Sequence, residues 1–336
     1  MKKPIGKISS DLHMSCSQLP ALMLHDAYRA PNDCLQAVAR ALSGERRKEI
    51  DSFAIRSGNH MENFILKDGA KTLGFNIDIN ITEPVASKNS TLQGSLDGII
   101  QNKDSAVIKT DTSKNIYCIE IESDKCRIID AIEIDGPGVA EAKLTSRRPQ
   151  NTPYMDKGPI QAQGLMLCTG YSWAVIMTAY GTIPYYYFIS ADPNFQNKIS
   201  EDVKEFDSKI SEFKKTNVMP WYPAITSNDA QKTWNKSNPE LPAINLSEAC
   251  SIAAEEIIEA KRLISACKNK IDLHQAAIQS EMGAAEVALA TDEEGLVTAE
   301  VSWGMSGARR EYTVAAKPEK RAASLKIVEV QEPYEQ

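Results

Sequence analysis

One strand-like segment, GPGVAEAKLTSRR, carries a carboxylate and an ammonium group two residues apart. Side chains at i and i+2 of a β-strand point to the same face of a sheet, so Glu141 and Lys143 would project together. A carboxylate beside an ammonium can hold a metal ion and orient a water molecule. The alternative is a solvated surface ion pair, and the tripeptide alone favours that alternative because Glu-x-Lys is a frequent pattern.

Other polar residues in the chain favour the chemical interpretation. Asp97 in GSLDGI stands where a turn would leave its carboxylate at a strand end, and Glu62 in GNHMENF lies in a predicted helix. Two carboxylates about 4 Å apart at an effective dielectric constant of 20 repel by about 4 kcal/mol, so such a cluster requires a cation or protons. Oxygen-only ligands suit Mg²⁺ or Mn²⁺. Downstream, QAQGLM offers Gln161 and Gln163.

Periodic apolar patterns indicate the elements that would position these residues. The segments around GNHMENF and QAQGLM are predicted helices, whereas WAVIMTAYG and IPYYYFIS are typical of strands. In NFQNKISEDVKEFDSKISEFKK the apolar residues recur at steps of three and four, which predicts an amphipathic helix packed on a sheet.

The order of these motifs resembles the PD-(D/E)XK nucleases, and within them the phage lambda exonuclease and YqaJ-type viral recombinase family. The matching pieces are GNHME in a helix, GSLDG at a turn, EAK in a strand and QAQGLMLCTG in the next helix. The resemblance covers roughly residues 10–215. It implies an α/β fold with a restriction-endonuclease-like core, in which a central mixed sheet is flanked by helices, and a C-terminal extension of a helix and a β-hairpin would follow this core.

The resemblance also implies roles for individual residues. Asp97, Glu141 and the main-chain carbonyl of Ala142 would hold Mg²⁺, with Mn²⁺ as a substitute, and Glu62 would reach a second metal ion or the water. Lys143 would orient or polarise the attacking water. Gln161 would help to position it, whereas Gln163 would face elsewhere, since residues two apart on a helix point in different directions.

A 5′-phosphate site is a second feature that the resemblance implies. Ser15 and Ser17 in MSCSQLPALM would offer hydroxyl and backbone N–H groups to an anion. The arginine expected before them is replaced by Ser10, and Lys7 is the candidate substitute. Arg147 and Arg148, directly after the Glu-x-Lys strand, would follow the DNA backbone, with ordinary solvated side chains as the alternative.

The chain is predicted to have several regions. We expect a nuclease core over residues 1–216, interrupted by an inserted β-element at about 100–137, then a linker rich in proline, asparagine and serine over 217–243. A helical and β-hairpin extension would occupy 244–315, followed by a loosely ordered tail over 316–336. Ile257, Ile264, Ile271 and Ile278 recur every seven residues, which fits either a coiled-coil seam or packing within the extension.

Composition limits the compartment and the partners. The formal net charge of −7 argues against general nucleic-acid binding, although a local basic groove can still act because exposed charges are screened beyond about 8 Å. No two of the seven cysteines have C-x-x-C spacing, which favours reduced thiols. No uncharged apolar run reaches membrane-spanning length, so we expect a cytoplasmic protein without membrane partners, in the bacterial host if the chain is phage-encoded.

The leading hypothesis is a Mg²⁺-dependent exonuclease that degrades duplex DNA ends, from 5′ to 3′, for recombination by single-strand annealing. By resemblance it would form a homo-oligomer, a trimeric ring, and have a single-strand annealing protein as partner. The first alternative is an endonuclease of the same superfamily in DNA repair or defence. The second is a catalytically inactive DNA-binding or scaffold protein.

Overall fold

The structure is a computed structural model, and it describes residues 10, 12–45, 52–102, 104–234, 239–240, 242–285, 287–291, 293–294 and 297–302. Lys7 and the predicted tail over 316–336 lie outside these residues. The chain divides into two units, with the boundary after Asp229.

A seven-stranded sheet forms the centre of the first unit, in the order β1-β4-β9-β10-β11-β6-β7. The strands of the first unit are β1 (Ile77–Asp78), β2 (Val85–Ala86), β3 (Gln93–Gly94), β4 (Gly98–Ile100), β5 (Ala106–Lys109), β6 (Ile116–Glu122), β7 (Lys125–Ile129), β8 (Ala131–Ile134), β9 (Gly138–Thr145), β10 (Trp173–Tyr180) and β11 (Ile183–Ser190). The pairs β9–β10 and β11–β6 are parallel, and the other neighbours in this sheet are antiparallel. The prediction of an α/β fold with a central mixed sheet flanked by helices is confirmed.

Helices cover both faces of this sheet. They are α1 (Leu19–Leu22), α2 (Pro31–Leu42), α3 (Phe53–Leu73), α4 (Pro159–Thr169) and α5 (Pro193–Thr216). The apolar side of α3 packs on one face through residues such as Leu66, against Val175 and Met177 of β10. The other four helices pack on the opposite face, where Ile160 and Phe206 meet Ile176 of the same strand. Successive residues of β10 therefore serve two different cores, as the alternation of a strand requires.

The predicted insertion at about 100–137 forms strands that belong largely to the central sheet. The strands β6 and β7 extend that sheet beyond β11, and Cys118 and Ile119 of β6 are buried in its two cores. Only β5 and β8 form a separate two-stranded sheet. The insertion therefore adds to the core as well as to the surface.

The segment after α5 is associated with the first unit as far as Asp229. The Asn32 side chain accepts a hydrogen bond from the Tyr222 backbone N–H at 2.9 Å and donates one to the Tyr222 carbonyl at 3.1 Å. The side chain of Asp229 is buried and accepts from the Ile225 N–H at 3.2 Å. A short helix, α6 (Ser227–Thr233), thus lies inside the predicted linker of 217–243.

The second unit contains a long helix, α7 (Glu248–Met282), and the hairpin strands β12 (Val287–Thr291) and β13 (Val297–Ser302). The helix begins with Ser247, whose hydroxyl accepts from the Cys250 N–H at 3.3 Å, as a helix N-cap does. The strands β12 and β13 pair antiparallel. Of the helices in the described ranges, none combines the length and the apolar composition needed to cross a membrane.

Candidate active site

The strand β9 carries the Glu-x-Lys pair on the face covered by α4. Val139 packs in the core on this face, whereas Ala140 and Ala142 belong to the α3 side, so Glu141 and Lys143 point toward α4. The side chain of Glu141 is only 1% exposed, and that of Lys143 is 23% exposed. The pair is therefore partly enclosed by protein, unlike a solvated surface ion pair.

Glycines allow β9 to begin beneath a tryptophan. A Cβ atom on Gly138 would lie 2.4 Å from Cε2 of Trp173, so only glycine fits at this position. Gly136 adopts φ +62°, and its carbonyl accepts a hydrogen bond from the Trp173 indole N–H at 3.2 Å. The Gly-Pro-Gly turn thus anchors the strand that carries the site.

Asp97 contacts β9 at the end of the pairing between β4 and β9. The register of β4 with β9 starts at Gly98 opposite Ala140, and Asp97 directly precedes it. Its Oδ2 accepts a hydrogen bond from the Ala142 N–H at 3.0 Å. Because the N–H and C=O of one strand residue point toward the same neighbour, the Ala142 carbonyl faces the Asp97 side as well.

Lys143 links Glu141 to α4. Its Nζ donates to Oε1 of Glu141 at 2.5 Å and to Oε1 of Gln161 at 3.0 Å. The second carboxylate oxygen of Glu141, Oε2, is buried and has no hydrogen-bond partner among the described residues. A buried carboxylate oxygen without a partner is costly in a protein interior unless a ligand satisfies it.

The charges in this site interact strongly. Burial raises the pKa of Asp97 well above its usual value, and the nearby charge of Glu141 adds to this effect. Burial by itself lowers the pKa of Lys143, but Glu141 and Asp97 outweigh it, so that this pKa lies above its ordinary value. Lys143 is therefore an ammonium group at neutral pH, and Asp97 is a carboxyl group whose ionisation calls for a further cation.

Glu62 contributes to the field of the site from α3. Its charge raises the pKa values of both Asp97 and Lys143. In the described part of the chain, however, no three His, Cys, Asp or Glu side chains are grouped so that they could hold a metal ion. Asp97, Glu141 and the Ala142 carbonyl are thus the oxygen atoms at the centre of the site, and Glu62 lies outside that group.

The two glutamines of α4 have different environments. Gln163 is fully buried and joins α4 to the segment between β11 and α5: it donates to the Ser190 carbonyl at 2.8 Å, accepts from the Asp192 N–H at 3.0 Å, and accepts from Gln196 at 3.2 Å. Gln161 instead contacts Lys143. The arrangement supports a chemical role for Gln161 and a structural role for Gln163.

Thr178 is a site residue that the sequence reasoning missed. Its Cα lies opposite Lys143 in the parallel pair of β9 and β10, and its side chain points to the same face. The hydroxyl is buried and has no hydrogen-bond partner among the described residues. The available signal was a threonine within WAVIMTAY, where the other residues are apolar or aromatic.

The serines of the predicted phosphate site lie together beside α4. The Ser15 and Ser17 hydroxyls are 3.0 Å apart. Cys16, which lies between them in the chain, is buried, and its thiol is 3.9 Å from that of Cys168. Arg29 donates to the Ser17 carbonyl at 3.2 Å and forms an ion pair with Asp26 at 2.7 Å. The structure thus brings an arginine to these serines from a part of the sequence that the motif did not include.

The two arginines after β9 differ in their contacts. Arg147 forms two hydrogen bonds with Asp156, at 2.9 and 3.2 Å, and its guanidinium carbon lies 4.5 Å from the centre of the Tyr154 ring. Arg148 is exposed. Arg147 therefore holds the loop between β9 and α4 in place, and Arg148 is the arginine that is accessible to a phosphate.

Comparison with known proteins gives structural likenesses at low similarity. The alkaline exonuclease LHK-Exo from Laribacter hongkongensis is 14% identical, with a TM-score of 0.41 over 62% of this chain and 94% of that one, and its complex with dAMP gives 0.42. A phage related exonuclease from Haemophilus somnus 129PT is 15% identical, with a TM-score of 0.35 over 61% and 97% of the two chains. No protein-family model and no curated protein matches this chain. Likenesses at this level do not establish a shared function, so the function has to be inferred from the site.

Proposed function

We propose that this protein is a metal-dependent deoxyribonuclease that hydrolyses phosphodiester bonds at the ends of duplex DNA. The observation that carries this proposal is the buried Glu141 carboxylate. One of its oxygens is bound to Lys143 and the other has no hydrogen-bond partner among the described residues. Together with Asp97 and Gln161, this is a set of groups suited to holding a cation and orienting a water molecule.

The residues present fit a magnesium ion. Asp97, Glu141 and the Ala142 carbonyl would hold it, since all three supply oxygen donors, which Mg²⁺ and Mn²⁺ prefer. A cation would also satisfy Oε2 of Glu141 and offset the burial and the repulsion from Glu141 that together raise the pKa of Asp97. When bound, the ion lowers the pKa of a water molecule and stabilises negative charge that develops on the phosphate.

The side chains around this centre have separate tasks in the proposed reaction. Lys143 is protonated at neutral pH, so it donates hydrogen bonds to water or phosphate and does not act as a base. Its ammonium has three N–H donors, and Glu141 and Gln161 occupy two of them, which leaves one for a ligand. The hydrogen bond to Gln161 fixes the orientation of the Lys143 ammonium group, and with it the direction of the third N–H. Glu62 adds negative charge to the site, and in the proposed reaction it attracts a second cation.

The finer assignment rests on the resemblance of the motifs. We propose digestion from the 5′ end, a role in recombination by single-strand annealing with an annealing protein as partner, and assembly as a ring, by resemblance a trimer. The neighbouring hydroxyls of Ser15 and Ser17, with Arg29 beside them, support an anion site near the N-terminal segment. Arg148 supports a path for the DNA backbone, as an exposed cation directly after β9.

The test is digestion of labelled duplex DNA with and without Mg²⁺. Linear duplexes with a 5′-phosphate, a 5′-hydroxyl or a blocked 5′ end are compared with covalently closed circular DNA. We expect Mg²⁺-dependent loss of the linear duplexes only, and preference for the 5′-phosphate. Cleavage of the closed circle at a similar rate would identify an endonuclease instead.

A pair of variants assigns the site. Glu141→Gln should abolish digestion, because it removes the charge that holds the cation while it preserves side-chain shape. The matched control is Glu133→Gln on β8, whose exposed carboxylate lies outside the site. If the wild-type chain and both variants leave DNA intact in Mg²⁺, the scaffold alternative is correct.

A further inference from the structure

The helix α7 presents an apolar surface along its whole length. It is continuous over 35 residues, and Ile257, Ile264, Ile271 and Ile278 recur on it every seven positions. Each of these isoleucines is substantially exposed, from 39% for Ile257 to 55% for Ile264. A helix in a soluble protein normally derives its stability from burying such a face, so α7 requires a packing partner.

Small residues accompany the isoleucines on the same side of α7. With the isoleucines at the a positions of a heptad, the d positions hold Ala253, Ala260 and Cys267 and then His274 and Glu281, and the preceding a position holds Cys250. Both of these cysteines are exposed, although free cysteine is among the residue types most often buried. As far as Cys267 the isoleucines therefore lie beside a row of small side chains, and the last two d positions are polar.

Such a face is complementary to an inverted copy of itself. In an antiparallel pair, a residues pack against d residues of the other helix. Ile264 then meets the partner's Ala260, and Ile257 meets the partner's Cys267. Within the paired length, each isoleucine is opposite a small side chain and His274 is opposite the partner's Cys250, which allows close packing. Ile278 lies beyond the paired length. The paired length extends from Glu248 to Ala276, about 43 Å at 1.5 Å per residue.

The border of this face contains two attractive pairs and one repulsive pair of charges in the same arrangement. In that register the flanking g positions place Glu256 beside the partner's Lys270 at both ends of the pair, and Leu263 beside its own copy at the centre, whereas the e positions place Lys261 beside its own copy. The size pattern of the apolar face therefore decides the orientation. A parallel pair would instead stack His274 on His274 and Ala260 on Ala260. We propose that α7 binds α7 of a second copy of this chain as an antiparallel two-stranded coiled coil.

The first test is the mass of the full-length protein in solution, measured by light scattering on a size-exclusion column. Ile264→Asp places two charges in the centre of the pair and should weaken self-association about a thousandfold, because two buried isoleucines are lost per pair. The matched control is Leu273→Asp. Leu273 is 69% exposed on the same helix but lies outside the paired face, and this variant should keep the wild-type mass.

If the first unit also contributes to assembly, its contribution is the same in both variants. A difference in mass between Ile264→Asp and Leu273→Asp is therefore caused by the face of α7. A wild-type protein that is monomeric, or an Ile264→Asp variant that keeps the wild-type mass, would overturn the proposal. Equal dissociation of both variants would overturn it as well, because the effect would then not depend on the face.

The second test determines the orientation and does not disturb the apolar seam. Glu256→Lys and Lys270→Glu should each weaken association about tenfold, since each turns two attractive contacts into repulsive ones. The double variant should restore wild-type association, because the exchanged charges attract again. In a parallel pair Glu256 would lie beside the partner's Lys261 and Lys270 beside the partner's Gln275. A double variant as weak as Glu256→Lys alone would therefore refute the antiparallel register.

Discussion

Replacement of Lys143 by methionine tests the electrostatic account of the site. The change keeps much of the side-chain volume but leaves the carboxylates of Glu141 and Asp97 without their shared ammonium group. At 2.5 Å and an effective dielectric constant of 20, the gross attraction between Lys143 and Glu141 is about 7 kcal/mol, most of which offsets the desolvation of the two ions.

The expected loss of stability follows from burial. Removing one partner of a buried ion pair typically costs about 3–5 kcal/mol, because the other charge is left uncompensated. Glu141 is almost fully buried, but Lys143 is partly exposed and solvent screens some of the interaction. We therefore expect Lys143→Met to lower the free energy of unfolding by about 2–4 kcal/mol in EDTA.

Magnesium should reverse part of this loss. A ligand present at a hundred times its dissociation constant stabilises the folded state by about 2.7 kcal/mol, and more if it binds more tightly. Because the variant lacks a positive charge near Asp97 and Glu141, Mg²⁺ should stabilise it by at least about 1 kcal/mol more than it stabilises the wild type. Nuclease activity should still be lost, since the donor to water or phosphate is absent.

Urea unfolding followed by circular dichroism, in EDTA and in MgCl₂, measures both effects. The control is Lys157→Met, which removes a partly exposed lysine 3.3 Å from Asp156 and should cost at most about 1 kcal/mol. The reasoning is refuted if Lys143→Met is no less stable in EDTA than Lys157→Met. It is also refuted if Mg²⁺ stabilises the wild type and Lys143→Met equally.

Three further predictions concern neighbouring residues. Thr178→Val should raise the free energy of unfolding by about 1 kcal/mol, by removing a buried hydroxyl without a partner, and should slow DNA hydrolysis; unchanged kinetics would show that the hydroxyl is not used. Gln163→Leu should lower the free energy of unfolding by about 2–3 kcal/mol, because Gln163 is hydrogen-bonded in the protein interior. Gln161→Leu should leave thermal unfolding almost unchanged and reduce kcat. The reverse pattern would contradict the assignment of the two glutamines. Arg147→Ala should lower the free energy of unfolding by about 1–2 kcal/mol, because the hydrogen bonds to Asp156 are lost. Arg148→Ala should lower the slope of log affinity against log salt concentration by about 1 in a DNA-binding titration. Equal salt slopes for the two variants would argue against a phosphate contact by Arg148.

The helices and strands around the site could be predicted from local patterns. Steps of three and four in the apolar residues indicated α5, and the uninterrupted apolar run from Trp173 indicated a strand of the sheet. These patterns suffice because the period of a helix or strand is a property of neighbouring residues. The exact register of β4 with β9, which brings Asp97 to the Ala142 N–H, depends on pairing over more than forty residues and has no local signal.

The sequence by itself determined the order of the acidic residues and the lysine, and it determined that Glu141 and Lys143 share one face of a strand. These conclusions follow from residue types and from the two-residue period of a strand. Only the tertiary structure decided which atoms are paired: Arg147 is bound to Asp156, Arg29 lies beside Ser17, and one oxygen of Glu141 has no partner among the described residues. The physical reason is that hydrogen bonds and burial depend on contacts between segments that are distant in sequence, and local patterns do not specify those contacts.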